Sequence, residues 1–225
     1  MNRPLSTRAA SAAAFSLLEL LFTVSIIAVI MALSVPMIQG VSEANNISAA
    51  GQIVSDYVSQ ARQLAAARNV SVEVRFVRQQ YGLQGPLSSY PNVYNAVQLW
   101  RVDPAGSESE PVSKMTPLPQ GIVVAVGTSA PYLSPPLVGT ATPPPLSGTL
   151  AYGPQSLNYV GFEIRPSGLI PNMLDMGMAN TFISVLPVRY MDKNANDLRG
   201  TNRTVKNYAL IQLNPFTGTA KVYQP

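Results

Sequence analysis

The chain has no cysteine and no histidine among its 225 residues. The first absence removes any disulfide framework. The second excludes Ser-His-Asp and Cys-His catalysis and every imidazole–metal site. Tryptophan occurs once, at Trp100, and charged residues make up only 12% of the chain. A formal net charge of +4 is too small to make the whole chain a polyelectrolyte. Neither a P-loop nor a dinucleotide fingerprint is present. Ser113-Lys114 and the other lysines leave a Ser-Lys hydrolase open by composition, but nothing in the sequence brings such groups together.

What the chain does have is a long apolar run, Ala14 to Pro36. From Leu20 to Met37 no residue is charged, and the polar ones (Thr23, Ser25, Ser34) are small. As a helix, Phe15 to Ile38 rises roughly 36 Å, enough for a hydrocarbon core of about 30 Å. Arg3 and Arg8 precede it, with no acid before Glu19. That bias puts the N-terminus in the cytoplasm and the rest of the chain outside the inner membrane.

Glu19 is the anomaly. A carboxylate in a membrane segment is costly and faces a partner or a functional site by default. It lies one helical turn after Phe15. A cut between Ala14 and Phe15 creates an α-amino group near its level, and an amine and a carboxylate offset each other's desolvation only when well paired. Two plainer readings compete. One is a signal peptide cut after Ala32-Leu33-Ser34, and the other is a simple single-span anchor.

Ala14-Phe15-Ser16-Leu17-Leu18-Glu19-Leu20 resembles the type IV prepilin signature, G-F-T-L-x-E. The resemblance implies cleavage by a prepilin peptidase before Phe15 and methylation of the Phe15 amine. It puts Glu19 at the glutamate that the family uses in assembly, and Pro36 at a helix-loosening proline common in it. Ala14 departs from the usual Gly before the cut, which implies slower processing.

Beyond Pro36 the apolar residues Val41, Ile47, Val54, Tyr57, Val58, Ala61, Leu64 and Ala65 recur at three- and four-residue steps. The pattern predicts a bent helix from about Phe15 to Ala67. Its second half should lay one stripe on a core. From Val70 the period switches to two, and Val70 to Phe76 reads as a half-buried strand. Val93–Val102, Ile122–Val126, Tyr159–Arg165, Thr181–Tyr190 and Thr204–Leu213 read as further strands. Asn214 to Gly218 turns into Thr219–Tyr223, a closing hairpin. Most of the 20 prolines lie between Pro86 and Pro154, and residues 129–154 read as a long surface loop or, alternatively, a partner-binding strip.

Four pieces in order, AAARNVSVEVRF, LPQGIVV, VGFEIRPSGLI and LIQLNPFTGTAKVY, resemble the H-type minor pseudopilins of type II secretion and the FimT-like minor pilins. Length and the Pro-rich insertion are also similar to the pilin-like cassette proteins of Verrucomicrobia. The resemblance implies an α+β pilin-like fold, with a long N-terminal helix packed on an antiparallel sheet. Residues 1–14 would be the leader, 15–38 the transmembrane or filament-core helix, 39–69 its amphipathic continuation and 70–225 the periplasmic β-rich domain. It also implies a structural, non-enzymatic subunit that helps initiate or cap a filament. Expected partners are other pilin or pseudopilin subunits, the prepilin peptidase and the inner-membrane assembly platform. No cofactor is expected.

Two further sites are candidates. Asp192, Asn194 and Asn196 begin like a calcium loop. However, the sixth position is Asp197 rather than Gly, and the twelfth is Arg203 rather than Glu, so a solvated loop is favoured. Arg199, Arg203 and Lys206 form a basic cluster suited to phosphate contacts, and some FimT-like proteins take up DNA. The acids beside it, with only Tyr190 and Tyr208 as aromatics, favour a solvated basic face.

Overall fold

A computed structural model describes residues 16–79, 93–102, 109–125, 146–171, 182–191, 205 and 207–224, with the side chains of 32–41 excepted. The chain divides into two compact units, Met1–Ser42 and Glu43–Pro225. Helix α1 has the bounds Leu17–Arg68, so its residues fall in both. The chain is α+β, with antiparallel strands throughout the described pairings.

In the second unit, the helical residues Ile47, Ala50, Val54, Val58, Ala61 and Ala65 are buried, and Gln52, Asp56, Gln60 and Gln63 are exposed. Three- and four-residue spacing puts the first set on one face. The helix ends one residue beyond the expected Ala67. Asn69 takes a left-handed φ of 52°, and the Val70 N–H donates to the Ala65 carbonyl at 3.3 Å. That long backward bond over a left-handed residue is a Schellman ending, with Asn in the place usually held by Gly.

Eleven strands follow among the described residues: β1 (Val72–Val77), β2 (Val93–Tyr94), β3 (Ala96–Arg101), β4 (Glu110–Pro111), β5 (Thr116–Pro117), β6 (Ile122–Ala125), β7 (Leu146–Tyr152), β8 (Gln155–Ile164), β9 (Phe182–Pro187), β10 (Ala209–Leu213) and β11 (Ala220–Tyr223). One sheet runs β4-β3-β1-β8-β7, with β5 also on β3. The other runs β11-β10-β9-β6-β2. The helical stripe, Val72, Val74 and Phe76 of the first sheet, and Ile183, Val185 and Ile211 of the second share one core. Alternation is what allows this. Every second residue of each strand points inward.

The expected strand Val93–Val102 is two strands in two different sheets. The break is Asn95. Its Oδ1 accepts from the Gln79 N–H at 2.7 Å, and its Nδ2 donates to the Gln79 carbonyl at 2.9 Å. The side-chain amide thus imitates a ladder partner while the backbone leaves one sheet for the other. β2 then pairs with β6, and β3 with β1.

The loop expected over 129–154 is corrected at its end. Leu146–Tyr152 is strand β7, in register with β8 from Leu146↔Gly161 to Tyr152↔Gln155. Proline counts mislead here because the last three consecutive prolines stop at Pro145, one residue before the strand. Residues 126–145 lie outside the described residues. β8 itself starts at Gln155, four residues before the expected Tyr159.

Two close backbone approaches explain two of the sequence pieces. A Cβ on Gly161 would stand 2.2 Å from the Val74 carbonyl oxygen, so only glycine lets β8 lie this close to β1. The RPSG turn after β8 rests on the NPFTG turn before β11. The Ile170 N–H donates to the Pro215 carbonyl at 2.8 Å; a Cβ on Gly168 would stand 2.8 Å from the Thr217 carbonyl oxygen, and one on Gly218 2.7 Å from the Gly168 carbonyl oxygen.

Candidate assembly surface

The first unit presents a helix start and an uncovered apolar surface. Ser16 caps it. Its Oγ accepts from the Glu19 N–H at 3.2 Å, and its carbonyl accepts from Glu19 and Leu20 at 3.1 and 3.2 Å. Ser16-x-x-Glu19 has the capping-box spacing, and Glu19 stands in the first turn, where the helix dipole favours negative charge. The sequence carries this signal openly. Reading Glu19 only as a carboxylate in want of an amine passes over it.

The apolar side chains from Leu17 to Met31 are exposed on every side of the helix. Leu17 is 86% exposed, Phe22 67% and Ile30 58%. The polar residues between them do not ask for water. Thr23 Oγ1 donates to the Leu20 carbonyl at 2.9 Å, and Ser25 Oγ to the Leu21 carbonyl at 2.8 Å. A helix apolar all round is normally buried in protein or lipid. Among the described residues no helix is long and apolar enough to cross a membrane. Residues 17–31 rise only about 22 Å, and the described side chains stop at Met31.

Of the processing, assembly, basic-cluster and calcium-loop residues singled out by sequence, Glu19 alone is described with its side chain. Pro36 is helical, but its side chain lies outside the described set. Ala14 and Phe15, the basic cluster Arg199, Arg203 and Lys206, and the calcium candidates Asp192, Asn194 and Asn196 all lie outside the described residues. Among the described residues no group of acids could hold a metal ion.

The second unit holds a polar cluster that sequence reasoning misses. Glu73 and Arg75 sit two apart on β1, on the face away from the main core, and both are buried. Their side chains pair at 2.6 Å, Nε to Oε2. The Arg75 guanidinium lies between two rings, 4.2 Å from the centre of Trp100 and 4.3 Å from that of Tyr159. Register makes the slot. Trp100 on β3 and Tyr159 on β8 are diagonal neighbours of Arg75, and Gly161 directly opposite adds no side chain. Trp100 Nε1 donates to Gln98 Oε1 at 3.1 Å, and Gln98 Nε2 to the Ser113 carbonyl at 3.1 Å. The stack locks β3, β1 and β8 together. It offers no nucleophile or base to a substrate.

The helix is also tied by polar bonds to residues that flank strands of the second sheet, Arg189 after β9 and Asn207 before β10. Arg189 Nη2 donates to Glu43 Oε1 at 2.6 Å, and Asn207 Nδ2 approaches the same oxygen at 3.4 Å. Nearby, Ala44, Ile47, Ser48, Asn207, Tyr208 and Gln224 line a groove of about 70 Å³. That admits a few waters and is far below the roughly 300–1,000 Å³ of ligand pockets. Tyr94 is the one described group with a perturbed titration, its hydroxyl raised by burial and pulled back by Arg78.

Comparison of the chain with protein families, with characterised proteins and with solved structures finds no match.

Proposed function

We propose that the chain is a structural subunit of a type IV pilin-like filament, a minor pilin or pseudopilin carrying the pilin-like fold. In this reading it is held in the bacterial inner membrane before assembly, with its globular unit in the periplasm. The observation that supports it most is the apolar surface from Leu17 to Met31, uncovered on all sides, with a single carboxylate in its first turn. Such a surface needs lipid or a bundle of like helices. A bundle gives Glu19 something lipid does not, an amine at the start of a neighbouring chain. Among the described residues of the globular unit, the buried Glu73–Arg75 pair is closed between two rings, and the groove lined by Ile47 and Tyr208 is small for a substrate.

The test is the chemistry of the mature N-terminus. Mass spectrometry of the protein from its membranes should find a chain beginning at N-methylated Phe15. A start at Val35, or an intact Met1, would sink the reading in favour of an ordinary secreted or anchored domain that never polymerises.

A further inference from the structure

Strand β7 closes one side of its sheet, and among the described residues no strand pairs with its other side. Which backbone groups it leaves outward follows from the register. The Arg78 N–H donates to the Asn158 carbonyl, so Asn158, Val160 and Phe162 aim their backbone groups at β1. Leu157, Tyr159 and Gly161 therefore aim theirs at β7, where they meet Leu150, Gly148 and Leu146. That leaves the N–H and C=O groups of Ser147, Thr149 and Ala151 pointing away from the sheet. An edge like this is a template for another strand, and proteins blunt such edges with lysine, proline or a bulge. Here the ladder with β8 runs unbroken, without a bulge, and no charged residue occurs from Leu146 to Phe162.

We propose that β7 is a pairing edge for a second copy of this chain, joined antiparallel about a two-fold axis through Thr149. The outward set is symmetric about that residue. Thr149 pairs with its own counterpart, and Ser147 with Ala151 of the other copy, so every outward group finds a partner. Side chains agree. Thr opposite Thr is a favourable cross-strand pair, and Leu146 meets Tyr152 on the other face. Tyr152 is 53% exposed in the single chain and would be covered. Two uncharged strands carry no like-charge penalty. A two-fold contact is closed and does not propagate. It is independent of head-to-tail filament growth and applies to copies held outside a filament.

The absence of cysteine supplies a clean experiment on the full chain in its membranes. Antiparallel hydrogen-bonded partners stand with Cα atoms about 5.5 Å apart, within disulfide reach. Thr149→Cys alone should give a disulfide-linked dimer on mild oxidation. Ser147→Cys alone should not, whereas Ser147→Cys mixed with Ala151→Cys should. Adding Ala151→Lys to Thr149→Cys should reduce the dimer by tenfold or more. Equal linking at 147 and 149, no linking at 149, or linking only to a different protein overturns the proposal. None of these outcomes alters the N-terminal mass that tests the filament reading.

Discussion

The two ends of helix α1 are the instructive contrast. Residues 43–68 bury one stripe and expose the opposite face, and residues 17–31 bury nothing. Both are apolar enough to demand cover. The first finds it in its own chain, where Val54, Val58 and Ala61 meet two sheets. The other leaves its apolar side chains exposed, which is the feature the filament proposal rests on. The spacing of apolar residues along the chain already draws this distinction. A stripe signals a core within the chain, and an all-round apolar surface signals another solvent or another chain.

The largest effect that would break the contrast is a charge placed in each half. Val58→Asp puts an unpaired carboxylate where relative exposure is 0% and should cost several kcal/mol, enough to abolish cooperative unfolding of the β-rich unit by circular dichroism. Ile26→Asp should leave that unfolding unchanged. If the first region is held in lipid, as proposed, the change should instead weaken retention in membranes, by about 2.5–3.5 kcal/mol on insertion scales. A loss of the β-rich transition in Ile26→Asp would mean that the first region, too, is covered by its own chain.

Glu19→Gln comes next. If the carboxylate pairs with a Phe15 amine in a bundle of helices, removing it leaves that amine unpaired, at about 3–5 kcal/mol. Processing should persist, because the Ala14–Phe15 junction is untouched. Incorporation into filaments, followed by cross-linking or shearing, should fall sharply. Glu19→Asp should be intermediate or defective, since the shorter stem withdraws the carboxylate. Incorporation equal to that of the native chain would refute the pairing.

Gly161→Ala tests the covered region through its backbone. The added Cβ meets the Val74 carbonyl oxygen at 2.2 Å, so β8 must move off β1 and loosen the Arg75 stack. The expected loss is about 1–3 kcal/mol in urea unfolding. Indifference to the change would mean that the two strands are not held at this spacing.

Much of the second region is legible in the sequence because its signals are local. Alternation marks Val72–Val77, and glycine-containing turns mark the far end of β8 and the last hairpin. The expected strand Ile122–Val126 lies within a residue of β6. What the sequence hides depends on partners distant along the chain. Asn95 looks like any strand residue until Gln79 is beside it. β7 hides behind a run of prolines that ends where the strand begins. Arg75 alternates as an outward polar residue, and only the register shows two rings closing over it. For the first region the sequence is the fuller witness. Its prepilin-like junction and its proline lie outside what the structure describes with side chains.

The smallest effect separates two roles of one residue. Glu19 is both the lone acid of the apolar run and the third residue of a capped helix. Ser16→Ala removes the hydroxyl that accepts the Glu19 N–H and leaves the carboxylate in place. Loss of such a cap costs about 1 kcal/mol. Hydrogen exchange at the Glu19 amide should therefore quicken by roughly fivefold. Glu19→Gln should leave that amide as protected as before, because glutamine also serves at this position of a capping box. Incorporation should divide the other way, nearly normal in Ser16→Ala and poor in Glu19→Gln. If instead Ser16→Ala assembled as badly as Glu19→Gln, the carboxylate would matter for starting the helix, and its pairing with a neighbouring amine would no longer be needed to explain it.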